Sequence, residues 1–280
     1  MKKILIILLI ILTIMGCDGV VPNPDPIPDP NPNSVEYRGF FVGITDYQSY
    51  ICIYDLISPA KNTIKLKELF EKCKFGEGKS TFLSINTLTD HNATKENILN
   101  GILEQFSEAD ENDVSYFYFM GHGTTLINDP AIVPTDFKIT IPSSYITVHE
   151  LEEILSQIQG TKVVLLETCH AGNFIGKSSI DNFDNAVIDV FSQKPVGLLT
   201  KENYQVLTSS AGAEYSWDSS LGSLFCRYFI KGTKPETLYA DKNSDGIADL
   251  TEILDYIRLS VTKQTAQSYP EGSIFPIVQY

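Results

Sequence analysis

Basic residues are scarce: 21 Lys and Arg stand against 35 Asp and Glu in 280 residues, a net charge of −14 at neutral pH. A surface this negative repels phosphate backbones and anionic headgroups, which excludes nucleic acid as a partner and favours basic peptides, although the same charge would also serve plain solubility. Cysteine is sparse as well, with five residues in the chain. That is too few for a disulfide scaffold. Long hydrophobic runs are missing too. The apolar stretch from Ile4 to Ile14 falls well short of the ~20 residues that a membrane-spanning helix requires.

What that stretch does offer is a leader. Lys2 and Lys3, the apolar run and the small Gly16 ahead of Cys17 read as a secretory signal peptide over residues 1–16. Ile14-Met15-Gly16-Cys17 further resembles a bacterial lipobox. This likeness implies export, lipidation of Cys17 and attachment to a membrane; ordinary cleavage that leaves Cys17 free is the alternative. In residues 17–34 proline stands at nearly every second position. Such a segment forms neither helix nor sheet interior and extends as a stalk of ~3 Å per residue.

Residues 35–280 are enough for one domain with a sizeable core. Apolar runs alternate with helical patterns, which predicts an α/β fold. Strands are expected at 38–45, 80–87, 114–120, 162–168 and 204–209, and helices at 62–74, 94–106, 148–157, 221–231 and 250–262. Residues 181–201 show less periodicity.

Two of the strands end in reactive side chains. The run Val163-Val164-Leu165-Leu166 lacks polar alternation, as a strand buried on both faces of a parallel sheet would, and stops at Glu167-Thr168-Cys169-His170-Ala171-Gly172. In open α/β sheets the carboxyl ends of the strands carry the chemistry, so Cys169 is a candidate nucleophile, with small residues after it leaving room for substrate. A lone cysteine is more often a buried structural thiol. The strand at 114–120 repeats the construction and ends at Gly121-His122-Gly123. There the imidazole has little cover, and the Gly123 N–H is free to approach an oxyanion. A paired base and thiol outweigh the structural reading.

Taken together, these motifs resemble those of caspase-like cysteine peptidases, in the metacaspase and paracaspase branch. His122 lies 47 residues before Cys169, near the ~50-residue separation of the caspase arrangement; papain-type enzymes have the opposite order. Phe40 to Tyr47 resembles the family's first strand, 132–136 its proline-aspartate segment and 207–211 its fifth strand, so the likeness covers 35–280. It implies a caspase-haemoglobinase-like fold, a mostly parallel central sheet flanked by helices on both faces. It implies a cysteine endopeptidase whose nucleophile is Cys169 and whose base is His122, with the N–H groups of Gly123 and Cys169 holding the oxyanion. The substrate pocket would fall to Glu167, Asn62, Ser209 and Trp217. Glu167 stands where the family has Asp and keeps the charge, whereas Asn62 replaces a second Asp and Ala171 the usual Ser. A basic residue before the cut is expected, Arg ahead of Lys because Arg can pair a carboxylate with two hydrogen bonds. The 181–201 stretch falls where the family carries a processed or mobile linker, with Lys177, Lys194 and Lys201 as candidate nicks. No cofactor is required for this chemistry. The alternative from another class is a catalytically silent surface lipoprotein that binds a partner or calcium; amidase or acyl transfer on cell-wall peptides would use the same dyad.

Residues 241–252 match the calcium loop D-x-[DN]-x-[DN]-G-x5-E. Asp241, Asn243, Asp245, the Ile247 carbonyl, Asp249 and Glu252 would supply the oxygen ligands a hard cation requires. Gly232 and Pro235 are expected to interrupt the helix entering the loop, and an ion-free acidic turn capping the next helix is the alternative. Cys52, Cys73 and Cys226 are either buried thiols or include one bridge. His170 is expected to be a packing feature rather than a second base, and His91 and His149 surface residues.

Overall fold

Strands that are apolar on both faces need partners on both edges and helices above and below, and the chain meets that demand with one six-stranded sheet. The computed structural model describes residues 34–47, 53–125, 129–175 and 203–280. The leader, Cys17 and the stalk to residue 33, together with Cys52, Lys177 and the 181–201 stretch with Lys194 and Lys201, lie outside the described residues.

In chain order the strands are β1 (Tyr37–Gly43), β2 (Phe82–Thr89), β3 (Val114–Met120), β4 (Gly123–Thr124), β5 (Ala131–Ile132) and β6 (Ile146–Thr147). They continue with β7 (Thr161–Glu167), β8 (Tyr204–Thr208), β9 (Ile247–Asp249), β10 (Gln267–Tyr269) and β11 (Pro276–Gln279). The helices are α1 (Pro59–Phe70), α2 (Lys95–Gln105), α3 (Val148–Leu155), α4 (Leu224–Thr233) and α5 (Leu250–Ser260).

The main sheet has the order β10-β8-β7-β3-β1-β2. All neighbours are parallel except the edge strand β10, which runs antiparallel to β8. Successive side chains of each strand point to opposite faces. Phe40, Val42, Phe117, Phe119, Val164 and Leu166 therefore pack in one layer with Ile98 and Ile102 of α2 and Leu151 and Leu155 of α3. Phe41, Tyr116, Tyr118, Val163 and Leu165 fill the other with Leu66 and Phe70 of α1, Phe225 and Phe229 of α4, and Ile253 and Ile257 of α5. Phe41 is fully buried between the rings of Phe70 and Tyr118, at 5.6 and 5.9 Å. The residues from Val35 to Tyr280 form one compact unit.

Local chemistry sets the helix ends. Thr94, Thr147, Ser223 and Asp249 accept a backbone N–H from the first turn of α2, α3, α4 and α5, and Glu150 and Glu252 complete capping boxes. α1 starts at Pro59, earlier than the periodicity suggested, because a proline tolerates the first helical position, where no N–H is needed. α4 does not break at Gly232 but runs through it to Thr233. A Cβ at Gly232 would stand 2.6 Å from the Tyr256 ring, so this glycine serves a close crossing of α4 with α5 rather than a helix stop.

Candidate active site

The register of the two central strands decides the geometry. Met120 of β3 pairs with Glu167 of β7. His122 and Cys169 each follow two residues later, so both emerge at the same carboxyl edge of the sheet. The Gly121 N–H donates to the Glu167 carbonyl at 3.3 Å, extending the pairing one residue past the strand. Gly123 presses directly on the nucleophile turn: a Cβ there would lie 2.2 Å from Thr168 Oγ1 and 2.5 Å from the Cys169 carbonyl oxygen. Only glycine fits.

The same contact frees a donor. In the β4–β5 pair, the Val133 N–H donates to the His122 carbonyl at 3.0 Å, which makes Gly123 and Ile132 a non-hydrogen-bonded pair. The Gly123 N–H therefore points away from β5. The His122 N–H is used otherwise, donating to the Tyr47 hydroxyl at 2.7 Å.

The imidazole rests on the Tyr47 ring, centroid to centroid 4.9 Å, and its Nε2 lies 2.7 Å from the Tyr54 carbonyl. A carbonyl only accepts, so Nε2 carries the proton and Nδ1 of a neutral ring is left as the base. Burial pulls the His122 pKa below its ordinary value, opposed by the Tyr54 hydrogen bond and the charge of Asp55. The Cys169 thiol is partly buried and free. Burial pushes its pKa up, against the N–H groups of Ser216 and of Cys169 itself, which favour the thiolate. Both shifts favour the uncharged pair. Burial thus favours a thiol at Cys169 and a neutral imidazole at His122 over the ion pair.

The turn carrying Cys169 is braced from behind. The Thr168 carbonyl accepts from Ser210 Oγ at 3.1 Å and Ser209 Oγ at 3.4 Å, and the His170 N–H donates to the Glu214 carbonyl at 2.9 Å. His170 has φ of +62°, and its Nδ1 donates to the Gly212 carbonyl at 2.8 Å. It turns away from the thiol because the chain has left the strand by this point, not because neighbours on a strand alternate. His91 and His149 are exposed and lie near Asp46 and Asp129.

Of the pocket residues, Glu167 and Asn62 are brought together through Ser223. Glu167 is 2 % exposed; its Oε2 accepts from the Tyr118 hydroxyl at 2.8 Å and its Oε1 from the Cys226 N–H at 3.3 Å, in the first turn of α4. Asn62 Nδ2 donates to Ser58 Oγ at 2.9 Å and Ser223 Oγ at 3.2 Å. Burial is the main reason the Glu167 carboxyl is pushed up to about 7; hydrogen bonds from Ser223, Tyr118 and Cys226 oppose the rise, and the charge of Asp218 adds to it. Ser209 is buried under the Cys169 turn and bonds Ser216 Oγ at 3.0 Å. Trp217 is 49 % exposed, with Lys263 Nζ 4.8 Å from its ring.

Several contributors carry no local sequence signal. Tyr54 and Ser216 act through the backbone, which any residue type supplies. Asp218 accepts from the Ile57 and Ser58 N–H groups at 2.7 and 3.0 Å, from 160 residues away. Tyr47 ends the first-strand segment, and its place before a turn was the one available hint.

The acidic loop at 241–252 folds on its own amides. Asp241 accepts from Ser244, Asp245 and Gly246, and Asp245 Oδ1 from Ile247. Glu252 Oε1 takes the N–H groups of Lys242 and Asn243, and Oε2 that of Asp249. The donor set is the oxygen-rich kind a hard cation takes. Among the described residues, however, no group of three or more His, Cys, Asp or Glu side chains is arranged to hold a metal, and Glu252 faces amides where an ion would need both its oxygens. The remaining described cysteines, Cys73 and Cys226, are buried free thiols, Cys73 pushed up to about 12 by burial.

Residues 39–276 match the family model of the caspase domain. No curated protein matches the sequence. Among solved structures, the chain is similar to a protein from Geobacter sulfurreducens, with TM-score 0.59, 12% identity, and 86% of this chain and 97% of that one covered. It is also similar to caspase-1 from Spodoptera frugiperda, with TM-score 0.52, 10% identity, and 84% and 86% covered. At these identities the likeness is one of fold. The mostly parallel sheet between two helical layers is the caspase-haemoglobinase arrangement.

Proposed function

Because the chain belongs to the caspase domain family, a family of cysteine peptidases, we propose that it is itself a cysteine endopeptidase that works through His122 and Cys169. The observation that carries this reading is the shared strand edge, where Gly123 abuts the Cys169 carbonyl and His122 keeps one ring nitrogen for base work. Cys169 Sγ forms a bond to the scissile carbonyl carbon while its proton passes to His122 Nδ1. The carbonyl π pair moves onto oxygen, where the N–H groups of Gly123 and Cys169 receive it. As the intermediate collapses, the C–N bond breaks and His122 returns the proton to the leaving amine. Water, deprotonated by His122, then adds to the acyl carbon, the C–S bond breaks to free the acid, and His122 returns the proton to the Cys169 sulfur.

We further propose that the pocket takes a basic residue, Arg ahead of Lys, as in the metacaspase and paracaspase branch. What supports this is Glu167, whose ionisation burial and the charge of Asp218 disfavour and which a bound guanidinium would favour. The leader motif supports export with a lipid on Cys17. Metabolic labelling with palmitate, present in the wild type and lost in Cys17→Ser, tests it. Calcium binding by 241–252 would require Glu252 to exchange the amides of Lys242 and Asn243 for the ion.

The test of the enzyme reading is a fluorogenic peptide panel on the wild type, Cys169→Ala and His122→Ala. Each change should abolish cleavage, and to a similar degree, since the two groups act as one unit. Full activity in Cys169→Ala refutes the mechanism. Binding of a partner with no cleavage in the wild type would favour the silent-module alternative.

A further inference from the structure

The 53–56 segment lies against the end of β1 and touches His122. Asp55 Oδ1 accepts the Tyr47 N–H at 3.0 Å, and the Leu56 N–H donates to the Thr45 carbonyl at 2.9 Å. Between them Tyr54 turns its carbonyl to His122 Nε2 at 2.7 Å, while its side chain is 90 % exposed. Tyr47 is the other support of the imidazole: its ring lies beneath, its hydroxyl accepts the His122 N–H, and that hydroxyl donates to the Val133 carbonyl at 3.3 Å. Asp55 is the one side chain that ties the two supports together. It holds Tyr47 directly and the Tyr54 carbonyl through the adjoining peptide.

We propose that Asp55 is a positioning residue for His122: its carboxylate clamps the 53–56 segment to Tyr47, so that the Tyr54 carbonyl keeps the imidazole in the Nε2–H tautomer with Nδ1 available as base. The kinetic consequence rests on the peptidase reading; the tautomer itself does not.

Charge adds a second effect. The charge of Asp55 acts on the His122 ring, and Cys169 and Asp90 act on Tyr47 beneath it. At the end of β1 stand Asp90, whose Oδ1 accepts from the Thr45 and Asp46 N–H groups at 2.8 and 3.1 Å, and Asp46, paired with His91 at 3.2 Å. Of these carboxylates, Asp55 is the one that favours the imidazolium of His122, against burial that disfavours it. Removing its charge must lower the His122 pKa. Removing the acceptor as well must release the carbonyl.

The experiment uses imidazole ¹⁵N correlation spectra of the full chain, with His122 assigned from His122→Ala, alongside pH profiles of peptide cleavage. Wild type should show a single Nε2–H tautomer. Asp55→Asn keeps an acceptor for Tyr47, so it should keep the tautomer, while the His122 pKa and the acidic limb of kcat/KM both move to lower pH. Asp55→Ala should mix the tautomers and reduce kcat about ten- to a hundredfold with little change in KM, part of the ~10²–10⁴ that a positioned general base supplies. A wild-type tautomer and pH profile in Asp55→Ala overturns the proposal. If Asp55→Ala does not fold, an unshifted His122 pKa in Asp55→Asn overturns it equally. A wild type that shows the tautomer and pKa responses yet cleaves nothing would defeat the peptidase reading and leave the positioning of His122 standing.

Discussion

Gly123→Ala tests the oxyanion site with the smallest possible change. The added Cβ would start 2.2 Å from Thr168 Oγ1 and 2.5 Å from the Cys169 carbonyl oxygen. The first neighbour belongs to the Thr168 side chain, whose Cγ2 also lies 3.0 Å from the added atom. The second is backbone in the nucleophile turn, braced through Ser209, Ser210 and Glu214. Restoring ordinary contact there requires a displacement of about 1 Å, shared between the Gly123 N–H and the Cys169 turn, in a packed interior that yields little. Overpacking of this kind costs about 1–3 kcal/mol of stability, which a domain of this size should survive. The larger effect is on rate. Loss of one oxyanion donor costs ~10²–10³ in kcat, or ~2.7–4 kcal/mol, and KM should change much less. The assay is steady-state cleavage of a fluorogenic peptide, with alkylation of Cys169 to count intact nucleophiles and a thermal melt to confirm folding. Adding Thr168→Ala removes both Thr168 side-chain contacts but leaves the clash with the Cys169 carbonyl, so the double variant should stay slow. A Gly123→Ala enzyme with wild-type kcat, or full recovery in the double variant, would refute the reasoning.

Two further predictions concern carboxylates. Burial pushes the Glu167 carboxyl from its ordinary 4.5 up to about 7, so the folded state binds the extra proton between those values; stability should rise as pH falls from about 7 to about 4.5, and Glu167→Gln should flatten that dependence in pH-resolved denaturant melts. In the same window kcat/KM for Arg substrates should fall relative to that for Leu substrates as pH drops, since both share the His122 limb and only Arg loses the Glu167 charge, and the mutant should lose Arg cleavage selectively; unchanged Arg cleavage, or an Asp preference in the wild type, rules the basic pocket out. Calcium should raise the melting temperature by an amount that grows with its concentration, and Glu252→Gln should blunt the rise. With chelator throughout, Glu252→Ala should still lower stability through the lost capping box, and indifference to calcium would leave the loop a helix cap alone.

The parallel sheet was legible because its central strands are buried on both faces, and Val163 to Leu166 and Tyr116 to Met120 wrote that burial directly as apolar and aromatic runs. The capped helices were legible from Thr94, Thr147 and Asp249, whose side chains act within one turn of their own position. His122 and Cys169 stood out for the same local reason, each following such a run beside glycine. The edge strand β10, reading Gln-Ser-Tyr over three residues, and the two-residue strands β4, β5 and β6 had no pattern to read. Their pairing is chosen by neighbours distant in sequence.

Local patterning thus determined which segments become strand and helix and which side chains arrive at the sheet's carboxyl edge, since those outcomes depend on burial period and on contacts a few residues long. Tertiary structure alone decided what meets there. The Tyr54 carbonyl that selects the His122 tautomer is a backbone group without a residue signature, and Asp55, Asp218 and Ser216 act on partners from eight to 161 residues away. Gly232, which looked like a helix stop, proved to be the space for Tyr256. Glycine's lack of a side chain serves a break and a close crossing equally well, and only the packed neighbour distinguishes them.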